Sequence, residues 1–241
     1  MIASLPMYDW PETRELWDRF WALIRTEAIK RGLTPPLDLT RDPGIWAQWR
    51  HPELFLSQTC GWPLIRDLAD DVCVLGAFDI GDPDCPPGYY CSEIIARSTS
   101  SADGADGAVA AYNETGSQSG YAALVNYLGA VPGQAMDSGS HRNSIRAVAG
   151  GAADIAAIDC MSWRLAQRHE PAAHQVQVIA RSRPTPGLPV IAHKDADRAR
   201  LRETLAAASD HHAAEQLCIR GFVPLDISDY RGQVGILATG A

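Results

Sequence analysis

The chain has no positive charge to spare. Its 241 residues carry 21 Lys and Arg against 29 Asp and Glu, a formal net charge of −8, so there is no basic footprint for nucleic acid or an acidic membrane surface. No stretch approaches the ~18 consecutive apolar residues that a membrane-spanning helix needs, so no direct membrane insertion is expected. The opening residues 1–8 contain neither a basic leader nor an apolar run of signal-peptide length. That leaves open a cytoplasmic protein or one whose export signal has been removed. The six cysteines, Cys60, Cys73, Cys85, Cys91, Cys160 and Cys218, form no CxxC and no paired metal spacing. Free, partly buried thiols are the expectation, with a bridge between Cys85 and Cys91 as the alternative for an exported chain. A GxxxxGK[ST] loop, a GxSxG elbow and any recognisable cofactor motif are also missing, so no cofactor is expected.

What is present is a foldable, well-punctuated chain. Hydrophobic residues make up 46% of it, with 20 Gly and 16 Pro, enough apolar material for a real core. Residues 2–6 suit a first strand. Asp9, Pro11 and Glu12 then resemble a helix start, and Leu16, Trp17, Phe20, Trp21, Ile24 and Ala28 follow at helical spacing as a core-facing stripe. Strands are expected over residues 37–39, 53–57, 72–78, 94–96, 108–112, 154–158 and 176–180. Helices are expected over 121–128, 143–149 and 162–168. Residues 98–107 (STSSADGADG) read as a surface loop.

Strands alternating with helices argue an α/β chain with largely parallel sheets. Two proline-rich stretches, Cys85-Pro-Pro-Gly and Pro184-Thr-Pro-Gly-Leu-Pro189, suit a chain that leaves one lobe for another and returns. The expected division is a discontinuous lobe of residues 1–88 and 186–241, an inserted lobe of 89–185, and a ligand cleft between them.

Two segments carry chemistry. Tyr112-Asn-Glu-Thr-Gly-Ser-Gln-Ser-Gly-Tyr121 places Ser117, Gln118 and Ser119 where a strand ends and a helix begins. Unpaired N–H groups and the positive dipole end make such a helix start an anion cradle that needs no lysine; its plainer role is capping. Ser138-Gly-Ser-His141 puts a histidine at another helix start, where an imidazole can donate to an oxyanion. Asp159 ends a strand of small residues, a usual place for ligand groups in α/β proteins, with helix capping as the alternative. His211 and His212 with Glu215 have i,i+4 spacing but no further ligands, and read as a solvated helix face.

These segments resemble the phosphonate/phosphate/phosphite branch of type II periplasmic binding proteins, substrate-binding components of ABC transporters. The matching pieces are Leu5-Pro-Met-Tyr8, Ser117-Gln-Ser-Gly120, Gly139-Ser-His141, Ala147-Val-x-x-Gly and Ala153-Asp154-Ile-Ala-Ala, in the family's order over most of the chain. The resemblance implies a two-lobed fold, each lobe a mostly parallel sheet flanked by helices, closing on a small anionic ligand. It implies Ser117, Gln118, Ser119 and His141 as ligand groups from the inserted lobe, with Tyr8, Ser57, Gln58 and Thr59 from the other. Asp159 resembles the position that meets a substituent on the ligand. The family's helix start is usually Ser-Thr-Ser or Thr-Ser-Gly, whereas here a glutamine stands in the middle. A permease partner and a periplasmic location are implied as well.

A second reading is a cytoplasmic enzyme on the same architecture, similar to those of menaquinone or thiamine-pyrimidine biosynthesis. His141 with Asp159 is its one acid–base candidate. A third is a sensor that has kept the fold and lost transport.

Overall fold

The computed structural model of the chain describes residues 1–97 and 108–237; the loop expected over 98–107 lies outside the described residues. Twelve strands occur among them: β1 (Ile2–Ala3), β2 (Leu54–Gln58), β3 (Val72–Asp79), β4 (Tyr89–Tyr90), β5 (Ser92–Arg97), β6 (Val109–Tyr112), β7 (Gln134–Asp137), β8 (Ile155–Asp159), β9 (Val176–Arg181), β10 (Thr185–Pro186), β11 (Pro189–His193) and β12 (Gly221–Val223). The helices used below are α1 (Arg14–Lys30), α2 (Ala123–Leu128, entered through a π turn at Gln118–Ala122), α3 (His141–Gly150), α4 (Cys160–His169) and α5 (Arg198–Ser209).

The chain divides into two compact units, Met1–Tyr89 with Pro186–Arg231, and Tyr90–Thr185 with the residues from Gly232 onward. Residues 232–237 therefore group with the second unit, whereas the sequence places them with the first. Side-chain amides explain the difference. Gln118 Oε1 accepts from Gly235 N, Asn126 Nδ2 donates to Gly235 O at 2.9 Å, and Asn126 Oδ1 accepts from Leu237 N at 3.0 Å.

The first unit is a five-stranded sheet in the order β1-β2-β11-β3-β12. Its helix α1 buries Trp17, Phe20, Trp21, Ile24 and Ala28, all of the stripe read from the sequence except Leu16, which is half-buried. Burying each such large side chain contributes roughly 1.5–3 kcal/mol. Edge-to-face ring contacts carry that stripe into the sheet: Trp17 to Phe20 at 6.1 Å, Phe20 to Phe78 at 5.5 Å, and Phe78 to Phe222 at 5.7 Å. The helix begins at Arg14 rather than beside Asp9, because Arg41 holds the Asp9 carboxylate at 2.6 Å. Thr13 Oγ1 instead donates to Tyr8 O at 2.8 Å. The strand expected over residues 37–39 does not form; Leu37 is 68% exposed and has no sheet edge to join.

The second unit is a sheet in the order β7-β6-β8-β5-β9. Its core gathers Ile94, Ala110, Ala123, Leu124, Ile155 and Ala157, and the alanines let α2 lie close to the sheet.

Both sheets are mixed, which corrects the expectation of mostly parallel ones. β1 runs parallel to β2, and β6 parallel to both β7 and β8. β11, the strand on which the chain returns, is antiparallel to β2 and β3. β5, the strand on which it enters the second unit, is antiparallel to β8 and β9. Each arrives from a crossing rather than from a helical connection, and so escapes the constraint that makes βαβ neighbours parallel.

Candidate functional site

The sequence-predicted residues share one topological property within each unit. They sit at or just beyond the carboxyl ends of strands that run parallel to one another. In the first unit Tyr8 follows β1, Ser57 and Gln58 end β2, and Thr59 follows it. In the second, residues 117–119 follow β6, His141 follows β7, and Asp159 ends β8. Open α/β sheets place ligands beyond the carboxyl ends of their strands, where loops and helix starts present free polar groups.

At the front of α2, Ser117, Gln118 and Ser119 are all buried. Ser117 Oγ accepts from Gly120 N at 2.9 Å, so this residue caps the helix. A side chain at position 120 would have to displace Asn113: a Cβ there would lie 1.9 Å from Asn113 Oδ1. Asn113 Oδ1 is itself buried and has no hydrogen-bond partner among the described residues. Sequence reasoning passed over Asn113, although an amide directly after an apolar strand end was the available signal.

Ser119 Oγ lies 2.9 Å from His141 Nε2. His141 is the first residue of α3, which Ser140 caps by accepting from Asn143 N at 3.1 Å. Ser138 holds the approach, donating to Tyr112 O at 3.0 Å, so the loop after β7 is tied to the end of β6. Burial lowers the His141 pKa to about 4, against a weaker raising pull from the Ala157 carbonyl. The ring is half-buried overall, and its Nδ1 edge is sealed from solvent. At neutral pH the pair is therefore uncharged: one imidazole and one hydroxyl, each able to give or take a hydrogen bond.

Asp159 caps α4. Its Oδ1 accepts from Met161 N at 2.8 Å and Ser162 N at 2.9 Å. Gln118 also has a structural duty, since its Oε1 accepts from Gly235 N. Another charged group that sequence reasoning missed braces α3 from behind: buried Glu170 accepts from Arg142 Nε at 2.7 Å and from Arg146 Nε at 3.0 Å. Those partners lower the Glu170 pKa, against the raising effect of its burial.

In the first unit Ser57 Oγ and Ser4 Oγ share a hydrogen bond of 2.6 Å, and Ser57, Gln58 and Thr59 are buried. Trp49 Nε1 donates to Gln58 O at 3.0 Å, yet Gln58 Oε1 is buried without a partner among the described residues. Tyr8 is buried, and its carbonyl accepts from Thr13 Oγ1 and Trp17 Nε1, each at 2.8 Å. The turn carrying it packs against β2. The His212 and Glu215 pair is exposed and self-paired at 2.7 Å, as expected of a solvated helix face.

The chain matches, over residues 68–230, the family described as the periplasmic substrate-binding protein of phosphonate ABC transporters. No curated protein sequence matches it. Among solved structures, it is similar to a Xanthomonas citri protein seen with chloride, at TM-score 0.72 and 15% identity, covering 96% of this chain and 93% of that one. PhnD1 from Prochlorococcus marinus in complex with methylphosphonate gives TM-score 0.71 at 16% identity, covering 95% and 93%. A binding-protein component of a phosphonate ABC transporter from Pseudomonas aeruginosa gives 0.70 at 17%, covering 95% and 82%. At these identities the structural likeness speaks to the fold.

Proposed function

This chain belongs to the phosphonate ABC-transporter family of periplasmic substrate-binding proteins, and on that premise we propose that its ligand is a small tetrahedral oxyanion of the phosphate or phosphonate type. The protein is a solute-binding component of an ABC-type system, and its family is non-catalytic. The enzyme reading has no support from the comparisons.

One observation carries the ligand class: the hydroxyl of Ser119, buried at a helix start, paired at 2.9 Å with a His141 ring that burial keeps neutral. Neutral donors at a helix start bind an oxyanion by hydrogen bonds and dipole, so a chain of net charge −8 needs no lysine in the site. The methylphosphonate complex of PhnD1 supports the same class. Ser117 and the backbone at Gly120 shape the cradle, and Gln118 fixes its outer side. Asp159 accepts hydrogen bonds and meets a donor-bearing substituent rather than the anion. Tyr8, Ser57, Gln58 and Thr59 are assigned further polar contacts to the ligand; the family pattern and their position at parallel strand ends support them.

Delivery to an ABC permease and residence in the periplasm complete the proposal, supported by the family. Among the described residues no helix is long and apolar enough to cross a membrane. Isothermal titration with phosphate, methylphosphonate, phosphite, sulfate and small carboxylates tests the ligand class. Binding of a phosphorus oxyanion, abolished or weakened in Ser119→Ala, is the expected result. A folded protein silent toward all of them would overturn the reading.

A further inference from the structure

The second unit also contains two thiols placed as a pair. The ladder between β5 and β8 ends at the rung Ser92↔Asp159, and Cys91, just before β5, lies one step beyond it beside Cys160, the first residue of α4. Cys160 N donates to Cys91 O at 3.0 Å, so backbone hydrogen bonding continues past that rung. Residues directly opposite one another in an antiparallel pair have Cα atoms about 4.5–5.5 Å apart, inside the roughly 4.4–6.8 Å that a disulfide spans. Both side chains are buried, at 3% and 1% exposure, and the thiols are hydrogen-bonded to each other.

We propose that Cys91 and Cys160 form a disulfide during folding in an oxidising compartment, pinning the entry strand of the second unit to the start of α4. The proposal rests on the periplasmic character of the family but not on the identity of its ligand. In the reaction each thiol gives up its proton and a sulfur–sulfur bond forms between them. The two electrons reduce the disulfide of a thiol–disulfide oxidoreductase, or of oxidised glutathione, to two thiols. The bridge would close the chain from β5 through β8 into one loop, removing conformational freedom from the unfolded state. The folded dithiol is a slow substrate. The neighbouring Cys91 thiol, burial and the Asp159 carboxylate all raise the Cys160 thiol pKa, suppressing its thiolate. Oxidation thus precedes the final burial of the pair.

The test uses the full chain, exported to a bacterial periplasm, alkylated without reduction and mapped by mass spectrometry. The expected product joins the Cys91 and Cys160 peptides, with Cys60, Cys73, Cys85 and Cys218 alkylated. Its melting temperature should fall by roughly 5–10 °C on reduction, and Cys160→Ala should show no such fall. Alkylation of both Cys91 and Cys160, or linkage of Cys91 to Cys85, would overturn the proposal. A methylphosphonate titration on the same samples reads the ligand assignment separately.

Discussion

The Ser119 hydroxyl stands 2.9 Å from His141 Nε2, joining the front of one helix to the first residue of another. The two residues are 22 apart in sequence, and each follows a different strand of one parallel set. Because the imidazole is neutral, the proposed site would meet ligand charge by oriented hydrogen bonds rather than by an opposite charge. Removing either side chain should then cost one or two charge-assisted hydrogen bonds. Ser119→Ala and His141→Ala are each expected to weaken oxyanion binding by about 10–100-fold. Because the partners touch, the double variant should lose less than the sum. Titration calorimetry on the three variants checks both points.

The same buried ring predicts a pH dependence of stability. An unfolded histidine titrates near 6.5 and this one near 4 when folded, so between those values the unfolded chain binds more protons. Stability contributed by the neutral ring is complete above pH 6.5 and declines as pH falls toward 4, with no further loss below that. The decline amounts to roughly 2–3 kcal/mol, discounted slightly for the ring edge that meets solvent. Urea unfolding at pH 7 and pH 4.5 should show this slope in the wild type and a shallower one in His141→Gln. Equal slopes would contradict it.

Gly120→Ala should damage the cradle directly. The added methyl would meet Asn113 Oδ1 at 1.9 Å, so the Asn113 amide or the helix start must move. A cost of about 1–3 kcal/mol in stability is expected, together with weaker oxyanion binding. The relieving variant is Gly120→Ala with Asn113→Ala, which should recover stability.

Gln118 should behave differently from its neighbours. Its Oε1 is held by Gly235 N, while Asn126 grips Gly235 and Leu237 from the other side. Gln118→Ala is expected to cost about 1 kcal/mol and to speed hydrogen exchange at the Gly235 amide. Its effect on affinity should be smaller than that of Ser119→Ala.

Local pattern made much of this legible. The Trp17 to Ala28 stripe, the strands around Val74, Ile94 and Ile155, and the helix starts at Ser117 and His141 all follow from spacing and capping chemistry. What escaped was non-local. Nothing near Pro189 or Ser92 announces that these strands insert antiparallel, because their direction is set by partners elsewhere in the chain. Leu37 has the composition of a strand, yet no neighbouring edge receives it. The capping role of Asp159 was readable as an alternative. The placement of Gly235 against Gln118, 117 residues away, was not. Glu170 was missed because its meaning lies in two arginines a helix away.

Titration of wild-type protein and Ser119→Ala with methylphosphonate at pH 7, both verified as folded by circular dichroism, tests the central claim most directly. The account predicts saturable one-site binding by the wild type and a loss of about tenfold or more in the variant. Equal affinity in the two proteins, or binding by neither, would contradict it.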